Sequence, residues 1–143
     1  MIELHIRTQK RTQSVPIRRE VEAILARQGW RNGLLTLFVP HTTAGITVQE
    51  EDDPHVMEDL FRTLEQVAPW DNPAWQHHEG NAASHVKAAL IGNSLQLLVQ
   101  HSQLRLGRWQ GVFLCEFDGP RTRNLWLEFV EKDSGGTPFQ APS

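Results

Sequence analysis

Apolar and polar residues alternate from the first positions of the chain. Ile2, Leu4 and Ile6 stand between Glu3, His5 and Arg7, a two-residue period that predicts a half-buried strand. A second short strand is expected over Thr12 to Pro16. From Ile17 the period lengthens: Ile17, Val21, Ile24 and Leu25 share one helical face. That helix is expected to end near Gln28, with Gly29 as a left-handed cap. Leu34 to Val39 is apolar at nearly every position and reads as a strand buried on both faces, stopped by Pro40. Thr43 to Gln49 carries β-branched residues in alternation and predicts another strand.

Asp53-Pro54 opens a second helix, since aspartate caps and proline fits the first helical position. Glu51 to Asp53 suit the positive end of its dipole, whereas Glu50 lies just before the cap, beside the candidate site. Val56, Leu60, Leu64 and Val67 mark its apolar face, and Pro69 ends it. Residues 68–80 form a loop rich in Pro, Trp and His, the kind of long connection that carries function or an interface. Asn81 or Ser84 caps a short third helix running to about Leu90. Ser94 to Gln100 is a strand. His101-Ser102 is a hairpin turn, and the returning strand from Leu104 is interrupted at Gly107 and resumes over Gln110 to Phe117. Asp118-Gly119-Pro120 is a turn, and Leu125, Leu127 and Phe129 alternate in a last strand. About seven strands and three helices, with antiparallel hairpins in the second half, make the fold class α+β. Residues 1–132 read as a single domain and 133–143, rich in Gly, Pro and Ser, as a flexible C-terminal tail.

Composition narrows the partners. The 143 residues are enough for one domain with a real core. A net charge of −3, with arginines scattered, argues against nucleic acid as a partner. No apolar run approaches the roughly 18 residues of a membrane span, and the N-terminus does not resemble a signal peptide. Cys115 is the one cysteine, so no intrachain disulfide forms. The expected location is cytoplasmic.

The chemistry concentrates in residues 76–92, where His77, His78 and His85 stand with Glu79, Gly80 and Asn81. A loop histidine and a helix histidine eight residues later can converge if Gly80-Asn81 folds back. His41, in the turn after Pro40, is the best third ligand. Three imidazoles leave an open position on a divalent metal, the pattern of a catalytic zinc site. Imidazole also suits nickel, copper or iron, so the metal is zinc or similar. His78 competes with His77 for the role. Glu50 and Glu79 serve either as general bases or as acceptors for imidazole N–H groups. Thr42, Thr43 and Asn81 offer neutral hydrogen bonds, and Arg121 offers a bidentate grip on phosphate. Trp109 reads as packing and Cys115 as a buried, inert thiol. His5, His55 and His101 read as surface positions.

At these residues the chain closely resembles the YjbQ family, often labelled secondary thiamine-phosphate synthase enzymes. The matching pieces are His41-Thr42-Thr43-Ala44-Gly45-Ile46-Thr47, Glu50 with Asp53-Pro54, and His77-His78-Glu79-Gly80-Asn81 with Ser84-His85-Val86-Lys87-Ala88. Gly92-Asn93-Ser94-Leu95, Gly107-Arg108-Trp109-Gln110-Gly111 and Cys115-Glu116-Phe117-Asp118-Gly119-Pro120-Arg121 follow in the family's order. The resemblance implies a compact α+β subunit, a sandwich of mixed or antiparallel sheets with three helices, assembled as a homotrimer. It implies a polar, metal-associated pocket, with site histidines at His41, His77 and His85, acids at Glu50, Glu79 and Glu116, and the Trp-Gln pair at Trp109 and Gln110. Gln110 thereby joins Thr42, Asn81 and Arg121 as a substrate-binding residue. Three positions depart from the family pattern: His101-Ser102 replaces Asp-Gly, Arg108 replaces a threonine, and Gln49 replaces an asparagine.

The functional expectation that follows is a metal-dependent enzyme acting on a small phosphorylated substrate. By resemblance its activity is of thiamine-phosphate synthase type, joining hydroxymethylpyrimidine diphosphate and thiazole phosphate. The alternative is a non-catalytic trimeric protein binding a metal or small ligand in the same pocket. A third reading gives the histidines a purely structural role at a subunit interface.

Overall fold

A computed structural model describes residues 1–133; the expected tail over 133–143 lies, apart from Asp133, outside the described residues. In chain order the elements are β1 (Ile2–Arg7), β2 (Gln13–Pro16), α1 (Arg18–Gln28), β3 (Gly33–Phe38), β4 (Ala44–Glu50), α2 (Pro54–Val67), α3 (Ala82–Ile91), β5 (Ser94–Gln100), β6 (Gln103–Leu104), β7 (Gln110–Glu116) and β8 (Thr122–Glu131). The α+β expectation holds, with eight strands rather than seven among the described residues. The extra strand arises because Gly107 separates two strands of different sheets. β6 pairs with β5, whereas β7 pairs with β2 and β4.

The larger sheet runs β1-β8-β3-β5-β6 and the smaller β2-β7-β4, every pairing antiparallel. Their facing sides share one core. Leu35, Leu37, Leu125 and Leu127 meet Ile46, Val112 and Leu114, and α1 adds Val21, Ile24 and Leu25. A second cluster joins Met57 of α2 and Ala88 of α3 to Phe113 and Cys115 on the other side of β7. The layers are therefore large sheet, small sheet, then α2 and α3. The start of α2 and the end of α1 have a local cause. Asp53 accepts the His55 N–H at 2.9 Å ahead of Pro54, and Gly29 takes φ 68° to close α1. Gly45 lets α3 approach β4, since a Cβ there would lie 2.7 Å from Gly92 O.

Two expectations need correction. β3 is not buried on both faces: Leu35 and Leu37 are fully buried, but Leu34 is 36% and Phe38 37% exposed. The apolar run covers an inner and an outer face, and no described element lies over the outer one. In register across that face, Leu34 stands between Leu98 and Val130, which are 61% and 65% exposed. Phe38 stacks on Trp126 at 5.8 Å between ring centroids. The second correction concerns α3. Asn81 occupies its N-cap without making a capping bond, and the Ser84 hydroxyl donates to Phe117 O at 2.6 Å instead. The hairpin turn is where it was expected. His101 and Ser102 both take positive φ, 55° and 61°, a conformation disfavoured by about 1–2 kcal/mol per residue. The Ser102 hydroxyl offsets part of that by donating to Trp30 O at 3.0 Å.

The two sheets are joined by a buried ion pair. Glu116 at the end of β7 is 0% exposed and Arg123 in β8 is 1% exposed. Arg123 Nε donates to both Glu116 oxygens, at 2.9 and 3.0 Å, and its Nη2 reaches Glu116, Thr43 O and Thr43 Oγ1. The Thr8 hydroxyl and the Asp118 N–H donate to Glu116 at 2.7 and 3.0 Å. Burial pushes the Glu116 carboxyl up, but the Arg123 guanidinium and these two donors outweigh it and hold it below the ordinary 4.5. A carboxyl with a lowered folded pKa contributes stability above its unfolded pKa and loses it as pH falls through the folded value. Glu116→Gln should destabilise the protein by about 3 kcal/mol near neutrality, because it strands a buried arginine charge. Urea denaturation across the acid range should show the gap to wild type narrowing as pH drops below the ordinary carboxylate value.

Candidate functional site

Pro40 cannot donate to a ladder, so β3 stops at Phe38 and the chain turns through His41 and Thr42 before β4 begins. The Val39 N–H is taken by Asn93 O at 2.7 Å, which brings the start of β5 beside this turn. The opening of β8 supplies Arg121 and Arg123. Together these segments line an open cavity of about 460 Å³. Phe38, Val39 and Pro40 make its apolar wall; His41, Thr42, Thr43, Asn93, Arg121 and Arg123 make its polar one.

The polar wall holds hydrogen-bond donors in fixed positions. Arg121 donates from Nε to Asp118 O at 2.8 Å and from Nη2 to Asp118 Oδ2 at 3.1 Å. A guanidinium carries five N–H groups, so Nη1 and one Nη2 proton remain for a ligand. Arg123 spends Nε and Nη2 on Glu116 and Thr43. Among the described residues no carboxylate lines this cavity. His41 accepts the Asn124 backbone N–H on Nε2 at 2.8 Å. Burial and then the nearby Arg123 charge lower its pKa, with Glu116 opposing and Arg121 adding to the decrease. The imidazole therefore stays neutral beside the two arginines.

A second cluster forms at the start of α3. The His77 and His85 rings meet edge to face at 4.9 Å, and His78 lies 5.1 Å from His77. Glu79 Oε2 is 3.8 Å from His77 Nε2 and exposed. Asn81 Nδ2 donates to Asp118 Oδ2 at 2.7 Å, leaving Asn81 Oδ1 buried with no partner. His85 Nε2 is also buried and unpartnered. Two orphaned polar atoms one helical turn apart are costly unless something fills them. The loop that carries His77 is tied down by Glu65, which accepts the Trp70 N–H at 2.8 Å and the buried Lys87 ammonium.

The structure thus brings His77 together with His85 and puts Asp118 between Asn81 and Arg121. It places His41 in the cavity with Thr42 and Arg121. No group of three His, Cys, Asp or Glu side chains able to hold a metal comes together among the described residues. The expected ligands that meet are His77 and His85, with Asn81 one helical turn before His85. Glu50 ends β4 opposite Gln110, and Gln110 Oε1 accepts the Gly107 N–H at 2.7 Å; neither lines the cavity. Arg108 lies over the exposed Trp109 ring at 4.7 Å and does not line the cavity. Cys115 is fully buried, and burial pushes its thiol up to about 12, in keeping with an inert side chain.

Sequence reasoning missed Arg123, Asn93 and Asp118. Arg123 did leave a signal: it shares the inward-facing alternation of β8 with Leu125 and Leu127, and an arginine on a core face needs a buried partner.

A family model described as UPF0047 protein YjbQ-like matches residues 2–132. UPF0047 protein YugU of Bacillus subtilis is 44% identical over 127 residues, covering 89% of this chain and 96% of that protein. UPF0047 protein MJ1081 of Methanocaldococcus jannaschii is 35% identical over 130 residues, covering 91% and 94%. The solved structure of a conserved hypothetical protein from Thermus thermophilus superposes with a TM-score of 0.86 at 47% identity, over 91% of this chain and all of that one. An uncharacterized YjbQ/UPF0047 family protein from Clostridium acetobutylicum gives 0.86 at 38% identity over the same shares. The chain belongs to the YjbQ-like UPF0047 family.

Proposed function

We propose that the cavity beside His41 takes the phosphate end of a small phosphorylated substrate, and that the protein is an enzyme of thiamine-phosphate synthase type. The observation that carries this reading is a cavity of about 460 Å³ with two arginines in its polar wall and, among the described residues, no carboxylate. Arginine grips phosphate through paired N–H donors. Asp118 holds the Arg121 guanidinium through Nε and Nη2, so it is fixed before a ligand arrives, and preorganised donors stabilise charge that develops during reaction. The joining of a diphosphate to a thiazole phosphate releases diphosphate, and the departing charge needs such donors. A divalent metal, zinc or similar, would be held by His77 and His85 with Asn81 Oδ1, and when bound it would supply further positive charge. No step at the cavity depends on it.

The non-catalytic reading is favoured by one observation. Glu50 and Glu79, the acids expected to move protons, do not line the cavity. Turnover separates the two readings. Thiamine phosphate formation by the purified protein, falling at least tenfold in Arg121→Ala, is expected for the enzyme. Binding of thiamine phosphate by calorimetry with no turnover would leave a binding protein. Arg121 is 49% exposed at its side chain, so loss of its pair with Asp118 should change stability by no more than about 1 kcal/mol.

The proposal includes assembly as a homotrimer in the cytoplasm, where a lone buried thiol stays reduced. Support for assembly comes from the outer face of the larger sheet, where Leu34, Leu98 and Val130 form an uncovered apolar row. Light scattering coupled to gel filtration should give a trimer mass for wild type and a monomer mass for Leu98→Glu. A monomeric wild type at micromolar concentration would remove the assembly from the proposal.

A further inference from the structure

We infer that His41 is a neutral hydrogen-bond donor that grips the ligand's anionic group through Nδ1–H, and that it is not a metal ligand. The inference rests on the reading of the cavity as an anion site and assigns His41 its place there. A backbone N–H can only donate. The Asn124 N–H, 2.8 Å from Nε2, therefore occupies the Nε2 lone pair. A neutral imidazole has one ring proton, which must then sit on Nδ1. A metal needs an imidazole lone pair, and neither nitrogen has one to give. Ligation through Nε2 would break the Asn124 bond and leave that N–H unsatisfied. Ligation through Nδ1 would strip the ring of its last proton.

Nδ1–H has no protein acceptor among the described residues, yet His41 lines the cavity. The neighbours decide what it can meet. Among the described residues Arg121 keeps Nη1 and one Nη2 proton free of protein partners, Arg123, Thr42 and Asn93 share the same wall, and the Glu116 carboxylate is spent on Arg123, Thr8 and the Asp118 N–H. The species complementary to converging donors is an oxyanion, and a phosphate group has enough oxygens to meet a ring N–H and a guanidinium together. The fixed tautomer is thus a specificity device. It rejects a cation and accepts an oxyanion without the ring having to become charged.

The test uses the full chain, inorganic phosphate as the anion and zinc as the metal. His41→Gln keeps an oxygen near the Nε2 position for the Asn124 N–H and removes the ring donor. Calorimetry in EDTA should show phosphate binding to wild type and a roughly 10- to 100-fold weaker affinity in the variant, the worth of one hydrogen bond to a charged group. Long-range proton–nitrogen spectra of the histidine rings should show His41 protonated at Nδ1, with that resonance moving on phosphate addition and unmoved by zinc. Phosphate affinity unchanged in His41→Gln, or zinc uptake lost in it, overturns this inference while the anion site stands. Wild type indifferent to phosphate overturns both readings.

Discussion

The Glu116–Arg123 pair is the constraint on which the rest of the structure depends. One partner ends a strand of the smaller sheet and the other begins a strand of the larger. Through Thr8 and Thr43 the pair also reaches the chain just after β1 and just before β4. A charge pair sealed from water is a poor source of net stability, since desolvation offsets most of the attraction. Its value here is geometric. Two of the pair's neighbours belong to the site: Thr43 lines the cavity with Arg123, and the Asp118 N–H that Glu116 accepts positions the carboxylate holding Arg121 and Asn81. The same contacts that lock the sheets together aim the donors.

What was legible in the sequence is what local pattern controls. β1, α1 and α2 follow from period, cap and proline, and the structure begins and ends them within a residue or two of those signals. Partnership between distant strands leaves no such trace. The apolar run of β3 looks the same whether its outer face meets another layer or stands open, because the difference lies in what the other elements cover. The break at Gly107 was visible, but the assignment of β6 and β7 to different sheets depends on pairings with β5 and with β2 and β4.

The site divides along the same line. His77 and His85 are close in sequence across one turn, and the expected convergence is present in the structure. His41 was found by type and neighbourhood, yet its chemistry is set by a backbone N–H 83 residues away. No motif encodes that bond. Asn81 shows the reverse error: an asparagine at a helix start reads as a cap, but Asp118 takes its amide and leaves the oxygen without a partner. In both cases a residue's type was right and its hydrogen-bonding role was decided by tertiary contact.

Phe38 ties the cavity to the exposed sheet face. It belongs to the cavity wall and also stacks on Trp126, on the same outer face as the Leu34 row. A surface that buries this stack would therefore alter the wall of the ligand space at the same time. Phosphate recognition by hydrogen bonds strengthens as water is excluded, because the donors act in a lower dielectric. An open cavity rimmed by an uncovered aromatic pair is poorly placed to exclude water alone. Covering the outer face would dry the rim next to His41 without moving Arg121 or Arg123, whose positions are fixed by Asp118 and Glu116. Assembly and ligand affinity would then be coupled through one aromatic contact, with no change of backbone required.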